Sequence, residues 1–235
     1  MDGQLDVALI SLLERKFEKT RFTRVDSDTV ENLIVKEEHK GSVLTEAKRE
    51  VLTGVFESQL PKMDKKEFYV QTQAMGENGA PVMITQAEYM RRMKDMAAIQ
   101  PGMSFYGDMP DMFNLLLNEE HPLIKRVLEN AETACAGKLQ PIDEKKATLE
   151  SRRKELYDAR QSKKEDEVPQ SEKDELFEIE KDITAAKSEK EGILAEYAAN
   201  DNTVKQLIDI TLLQNNMLTG EALNNFVKRS IELMK

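Results

Sequence analysis

Residues 112–128, MFNLLLNEEHPLIKRVL, decide how this chain has to fold. The apolar run MFNLLL is short, continuous and bounded by polar residues, which predicts a buried strand over 112–117. Asn118 then stands where a helix cap belongs, ahead of Leu123, Ile124, Val127 and Leu128 at helical spacing. Upstream, residues 67–75 alternate, with Phe68, Val70 and Thr72 on one face of a second strand. The turn residues Gly76-Glu77-Asn78-Gly79 and the returning PVMI of 81–84 predict a hairpin. A helix begins after Thr45 and carries Ala47, Val51, Leu52, Val55 and Phe56 on one side. Earlier still, Val7, Leu9, Ile10, Leu12, Leu13 and Phe17 give a first helix a broad apolar face. RFTRV at 21–25 reads as a short strand, and Leu33-Ile34-Val35 is the greasy part of a polar connection. Mixed strands and helices of this kind imply an α+β fold, a small mixed sheet with flanking helices.

Downstream the chain changes character. From Lys138 to Ala199 about half the residues are charged. Leu176, Ile179, Ile183, Ala186, Lys190, Ile193 and Tyr197 recur at three and four, an a/d seam with one lysine in it. Ile142, Leu149 and Leu156 recur every seven on a weaker seam, with charged residues between them. Pro169 interrupts, and Ser171 with Asp174 forms a variant capping box for the second helix. The pattern predicts an inserted antiparallel coiled-coil hairpin over 138–199, about 25 residues per arm, set into a domain made of 1–137 and 200–235. A single long helix is opposed by Pro169, and a disordered tract by the regular seam. Two short helices close the chain, one lined by Val204, Leu207, Ile208, Thr211 and Leu212, the other by Leu223, Phe226, Val227 and Ile231 after Thr219. Ile210, Leu213 and Leu233 fall outside those stripes, so the pair is either a dimerisation element or packed wholly on its own domain.

The composition excludes several functions. The 235 residues carry a net charge of −10, which opposes general binding to nucleic acid or to an anionic membrane. No apolar run reaches the roughly 18–20 residues that cross a bilayer. The one cysteine, Cys135, fits a reducing, cytoplasmic setting and has no partner motif. His39 and His121 lack companions at ligand spacing, so no metal is expected. GxGxxG, GxxxxGK[ST] and GxSxG are all missing, and no catalytic residue is assigned. An enzyme with an unrecognised site is the weakest reading. The N-terminal stretch, MDGQLDVALISLLERKF, has no basic region or cleavage site of a signal peptide. It enters its helix without preamble, as a piece cut from a longer protein would, although an initiator methionine looks the same.

One further helix stands out, TQAEYMRRMKDMAA at 85–98, with Thr85 and Glu88 as a capping box. Tyr89, Met93 and Met96 share a face, Met90 and Ala97 lie beside it, and Arg91, Arg92 and Lys94 spread over the rest. Read alone, these methionines are either soft core filler or an adaptable contact surface.

The order of these pieces resembles the C-terminal domain of the bacterial 90-kDa heat-shock chaperones, the HtpG family. The resemblance covers residues 1–129 and 202–235 and rests on LDVALISLLERKFEKTRFTRV, PVMITQAEYMRRMKDMA and LLLNEEHPLIKRV. Glu119 replaces a usual proline, and the chain ends SIELMK without the acidic EEVD-type tail, so docking of tetratricopeptide co-chaperones is not expected. Stretch 138–199 has no counterpart in the shorter bacterial members. The resemblance implies a non-catalytic dimerisation and client-contact domain of an ATP-dependent chaperone. Its nucleotide pocket belongs to an N-terminal domain outside this stretch, so no ATP or magnesium is expected here. It implies a homodimer built by a bundle of the terminal helices, through Leu207, Ile208, Leu212, Leu223, Phe226, Val227 and Ile231. It also makes Tyr89, Met90, Met93 and Met96 a surface for unfolded or partly folded client proteins. The alternative is a free-standing coiled-coil adaptor, in which the 138–199 hairpin is the working part.

Overall fold

A computed structural model describes residues 6–17, 19–20, 22, 44–86, 88–97, 109–160 and 169–234. Three strands form one sheet: β1 (Lys66–Gln73), β2 (Val82–Thr85) and β3 (Asp111–Asn118). Their order is β1-β3-β2, with β3 parallel to β1 and antiparallel to β2. The expected hairpin is therefore absent, because β3 lies between its two strands. Burial explains the order. Phe113, Leu115, Leu116 and Leu117 are all buried, so β3 requires neighbours and cover on both faces. β1 alternates and exposes Glu67, Tyr69 and Gln71, which an edge strand tolerates. Phe68 stacks on its register partner Phe113 with ring centroids 5.5 Å apart.

Asn118, expected to cap the next helix, does something else. It is fully buried and ties the end of β3 to the 75–79 turn. Its Oδ1 accepts from the backbone N–H of Met75 at 3.1 Å and of Glu120 at 3.2 Å, and its Nδ2 donates to the Gly76 carbonyl at 2.8 Å. Gly76 has φ +77°, and a Cβ on Gly79 would lie 2.4 Å from the Met75 carbonyl oxygen, so this turn requires both glycines. The cap of the following helix is His121, whose Nδ1 accepts from the Leu123 N–H at 3.0 Å. Glu119, where the resemblance has proline, is also buried and accepts from the Leu44 N–H at 3.2 Å.

Seven helices complete the described residues. They are α1 (Asp6–Lys16), α2 (Glu46–Glu57), α3 (Glu88–Ala97), α4 (Pro122–Arg160), α5 (Gln170–Ala199), α6 (Asn202–Gln214) and α7 (Gly220–Leu233). The architecture is thus α+β, as expected. Of RFTRV only Phe22 is described and it lies in no strand, while 33–35 falls outside the described residues. Thr85 ends β2 opposite Asn114, so it is not the cap of α3, which begins at Glu88.

One core joins sheet and helices. It takes Val51, Leu52, Val55 and Phe56 from α2, and Ile124, Val127, Leu128, Ala131, Cys135 and Leu139 from α4. Leu194 and Ala198 of α5 and the buried face of α6 complete it. α4 runs 39 residues without a break through position 138, and Pro141 costs it one hydrogen bond without ending it. The helix that begins in the core is thus the helix that becomes the first arm of the hairpin. α5 returns antiparallel to it, with Arg152–Glu175 and Lys138–Glu196 ion pairs across the two. A second buried cluster, Leu156, Leu176, Ile179 and Ile183 with Leu149 at its edge, fills the seam farther out. Ile142 is buried nearer the core. Ile193 is only part-buried and packs on the globular core; Leu194, one residue on, is the buried one. Gly54 admits that leucine, since a Cβ there would meet Leu194 Cδ1 at 2.8 Å.

Replacing Asn118 by alanine leaves the Met75 N–H and Gly76 carbonyl without their buried partner. Urea unfolding should show a loss of about 1–3 kcal/mol. Gly79→Ala should be destabilised in the same sense, and parental stability in both variants would contradict the role given to this turn.

Candidate functional site

Among the described residues of the globular part, two apolar surfaces lie outside the core. The first lies on the terminal helices. Asp201 caps α6 by accepting from the N–H groups of Thr203 and Val204 at 2.8 and 3.2 Å. The helix ends in a left-handed turn at Asn216 (φ +55°), where the Met217 N–H bonds back to the Leu212 carbonyl. Within this frame Leu207, Ile208 and Leu212 face inward and are buried against the protomer's own sheet and helices. They are therefore not available to a partner, in contrast to the expectation. The periodic stripe on α6 is the stripe that covers β2. Leu223 and Phe226 of α7 are part-buried against the same core.

What faces outward includes two residues of the expected set. Val227 and Ile231 are 46% and 51% exposed and lie four residues apart on α7. Ile210 and Leu213 of α6 are exposed as well, three residues apart. Polar contacts fix the angle between the helices: Gln206 Nε2 donates to Ser230 Oγ at 2.6 Å, and Arg229 pairs with Asp209 and with Gln206 Oε1. Ile210 and Leu213 were legible as surplus to the main stripe, and their surplus is what marks them.

The second surface is α3 with α1. Tyr89 is 66% exposed, while Met90, Met93 and Met96 are part-buried and belong to no buried cluster. The cations between them hold the helix in place. Arg92 forms an ion pair with Glu14 of α1 at 3.0 Å and donates to the Phe22 carbonyl, Lys94 meets Asp111 at 2.6 Å, and Arg91 meets Asp95 at 2.9 Å. α1, resting on α3, exposes Leu9 and Leu12, with Phe17 just beyond its end.

The arm is fixed at its root by charge. The Lys190 ammonium, almost wholly buried, lies 2.8 Å from Asp143 and 3.1 Å from Glu50, and Lys146 reaches the other Glu50 oxygen at 2.5 Å. α2, α4 and α5 meet at this point. Burial pushes the Glu50 carboxyl up, but Lys146 and Lys190 outweigh it and hold it below its ordinary range. Burial likewise opposes the charge on Lys190, and Asp143 and Glu50 outweigh it and raise the ammonium above its usual value. Lys190 was legible as a lysine in an apolar seam, but its partners lie 47 and 140 residues away and no local spacing connects them.

Cys135 is buried and burial raises its thiol pKa, which makes it a packing residue. The Tyr197 hydroxyl donates to Asp201 and is pushed up to about 12 by burial and by that carboxylate. Among the described residues no group of three or more His, Cys, Asp or Glu side chains could hold a metal ion. No described helix is long and apolar enough to cross a membrane.

Over its whole length the chain is similar to proteins named chaperone protein HtpG. It is 62% identical over 234 residues to that of Bacteroides thetaiotaomicron and 59% identical over 234 residues to that of Bacteroides fragilis. The HtpG of Porphyromonas gingivalis is 44% identical over 238 residues. Each match covers 100% of this chain and 34% of the relative, so the chain spans about a third of their length. The match includes 138–199, and the arm is therefore shared with these relatives rather than peculiar to this chain. No family model matches. No solved structure matches.

Substituting Lys190 by alanine leaves Glu50 and Asp143 facing each other. Because both keep some water contact, the loss should be about 1–3 kcal/mol rather than the roughly 3–5 of a fully buried pair. Glu50 is held low in the fold, so its contribution is present above its unfolded value and disappears as pH falls through its folded one. The gap between parent and Lys190→Ala should therefore narrow in acid. A gap that is absent at neutral pH, or that widens in acid, would contradict the clamp.

Proposed function

Since the chain belongs to the HtpG family of chaperones, a third of whose length it spans, we propose that it is the dimerisation and client-contact domain of a 90-kDa heat-shock chaperone. Its work is mechanical. ATP and magnesium are handled by the N-terminal part of the longer protein, and this segment binds neither. It acts in the cytoplasm, as a homodimer, on unfolded or partly folded proteins. A free-standing adaptor finds no support, because the relatives that share the arm carry the chaperone name throughout the match.

The observation that carries the reading is the exposure of apolar residues on both terminal helices: Ile210 and Leu213 on α6, whose other face is buried, and Val227 and Ile231 on α7, whose other face is part-buried through Leu223 and Phe226. In a two-fold dimer the row meets its own copy, so every contact is made twice. Leu207, Ile208 and Leu212 support the interface from below by fixing α6 on the sheet, and Leu223 and Phe226 border it. The client surface is supported by the exposure of Tyr89 beside three half-buried methionines, since unbranched, polarizable side chains adapt to many partners.

Val227→Asp with Ile231→Asp should turn dimer into folded monomer, weakening association by at least ~100-fold, since burying each such side chain contributes about 1.5–3 kcal/mol. Ile208→Asp should instead unfold the chain, read by circular dichroism. Loss of the dimer only when the fold is lost would sink this interface. Tyr89→Ser with Met93→Ser should weaken capture of a reduced, carboxymethylated globular protein several-fold at unchanged dimer mass. Unchanged capture would remove the client role from α3.

A further inference from the structure

Beyond the root, the arm is held by its own seam of Leu156, Leu176, Ile179 and Ile183, separate from the main core. Two aromatic side chains of the arm stay outside that seam. Phe177 is 66% exposed and Tyr157 46% exposed. They occupy one level and one side of the arm. The Tyr157 hydroxyl crosses to Glu180 Oε1 at 3.1 Å, and Glu180 lies three residues from Phe177, its neighbour on the helix surface. Neither ring contributes to the buried seam.

The surroundings of Phe177 are acidic. Residues 170–182, QSEKDELFEIEKD, hold six carboxylates and two lysines. The facing stretch 149–160 adds four cations, Arg152, Arg153, Lys154 and Arg160, and three carboxylates. Arg152 pairs with Glu175 at 2.8 Å and Glu155 at 3.1 Å, Lys181 pairs with Glu178 at 3.1 Å, and the two stretches together keep nine carboxylates against six cations. Asp174 and Glu178 are exposed beside the ring. A second copy of this arm would bring the same negative face to itself, so self-association is disfavoured. A cationic chain is attracted, and lysine or arginine can also lie on the two aromatic faces.

From this juxtaposition we propose that the outer half of the arm binds a basic segment of another polypeptide, with an aliphatic or aromatic anchor seated against Phe177 and Tyr157. This is a second polypeptide surface, separate from α3 and from the terminal helices, and it does not rest on the dimer assignment. Charge brings the segment to the arm, and the aromatic pair holds it in place.

The test uses the whole chain and two labelled amphipathic peptides, one of leucine and lysine and one of leucine and glutamate. At physiological salt the basic peptide should bind at least about tenfold tighter than the acidic one. Phe177→Ser should lower its affinity about tenfold, and so should Glu178→Lys with Glu180→Lys, with helicity unchanged. A photo-crosslinker in the peptide should mark 170–182. Equal binding of the two peptides, indifference to Phe177→Ser, or cross-links confined to α3 or α7 would each overturn the proposal. The last result would leave the dimer and client assignments standing, so the two failures are distinguishable.

Discussion

The burial of Leu115 and Leu117 on one face of β3 and of Leu116 on the other constrains everything else in this protein. A strand with leucines on both faces has to sit inside the sheet and under helices on both sides. That requirement places β1 and β2 at the edges and lays α2 over β1 and α6 over β2. It also puts the first turns of α4 in the core. The arm follows from the same constraint. α4 starts as a core helix through Ile124, Val127 and Leu128 and simply continues outward. α5 comes back into the core through Leu194 and Ala198. Both ends of the arm are thus core elements, and the Lys190, Glu50, Asp143 and Lys146 network sets its direction where it leaves.

The local elements were legible because each has its own period. The alternation of β1, the continuous run of β3, the faces of α2 and α6 and the seam of the arm can all be read from neighbouring residues. Pairing was not legible in the same way. A turn with two glycines between strand-like runs favours a hairpin, but the burial demand of β3, which begins only at Asp111, well downstream of that turn, takes the place between them. Asn118 has the residue type of a helix cap, yet its position at the buried end of β3 gives it the turn at 75–76 to hold. At the base of the arm the seam moves from Ile193 to Leu194 because α2 supplies a third surface there, reached across Gly54.

The same distinction governs the interaction surfaces. Periodicity identifies which residues of α6 share a face, but that face is needed twice, by the protomer's own sheet and by any partner. The sheet takes Leu207, Ile208 and Leu212, which leaves Ile210 and Leu213 exposed. On α3 the cations Arg92 and Lys94 hold the helix to α1 and β3. Tyr89 stays exposed, with the flanking methionines half-buried beside it. In each case the exposed apolar residues are those left over after the core requirement is met, which a single helix cannot reveal.

The central claim is that the outward row on α6 and α7 joins two copies of the chain. Sedimentation of the unmodified 26.8-kDa chain over a dilution series tests it most directly. The account predicts a particle of twice that mass, persisting well below micromolar concentration. A single 26.8-kDa species at micromolar concentration, with the helices intact, would contradict it.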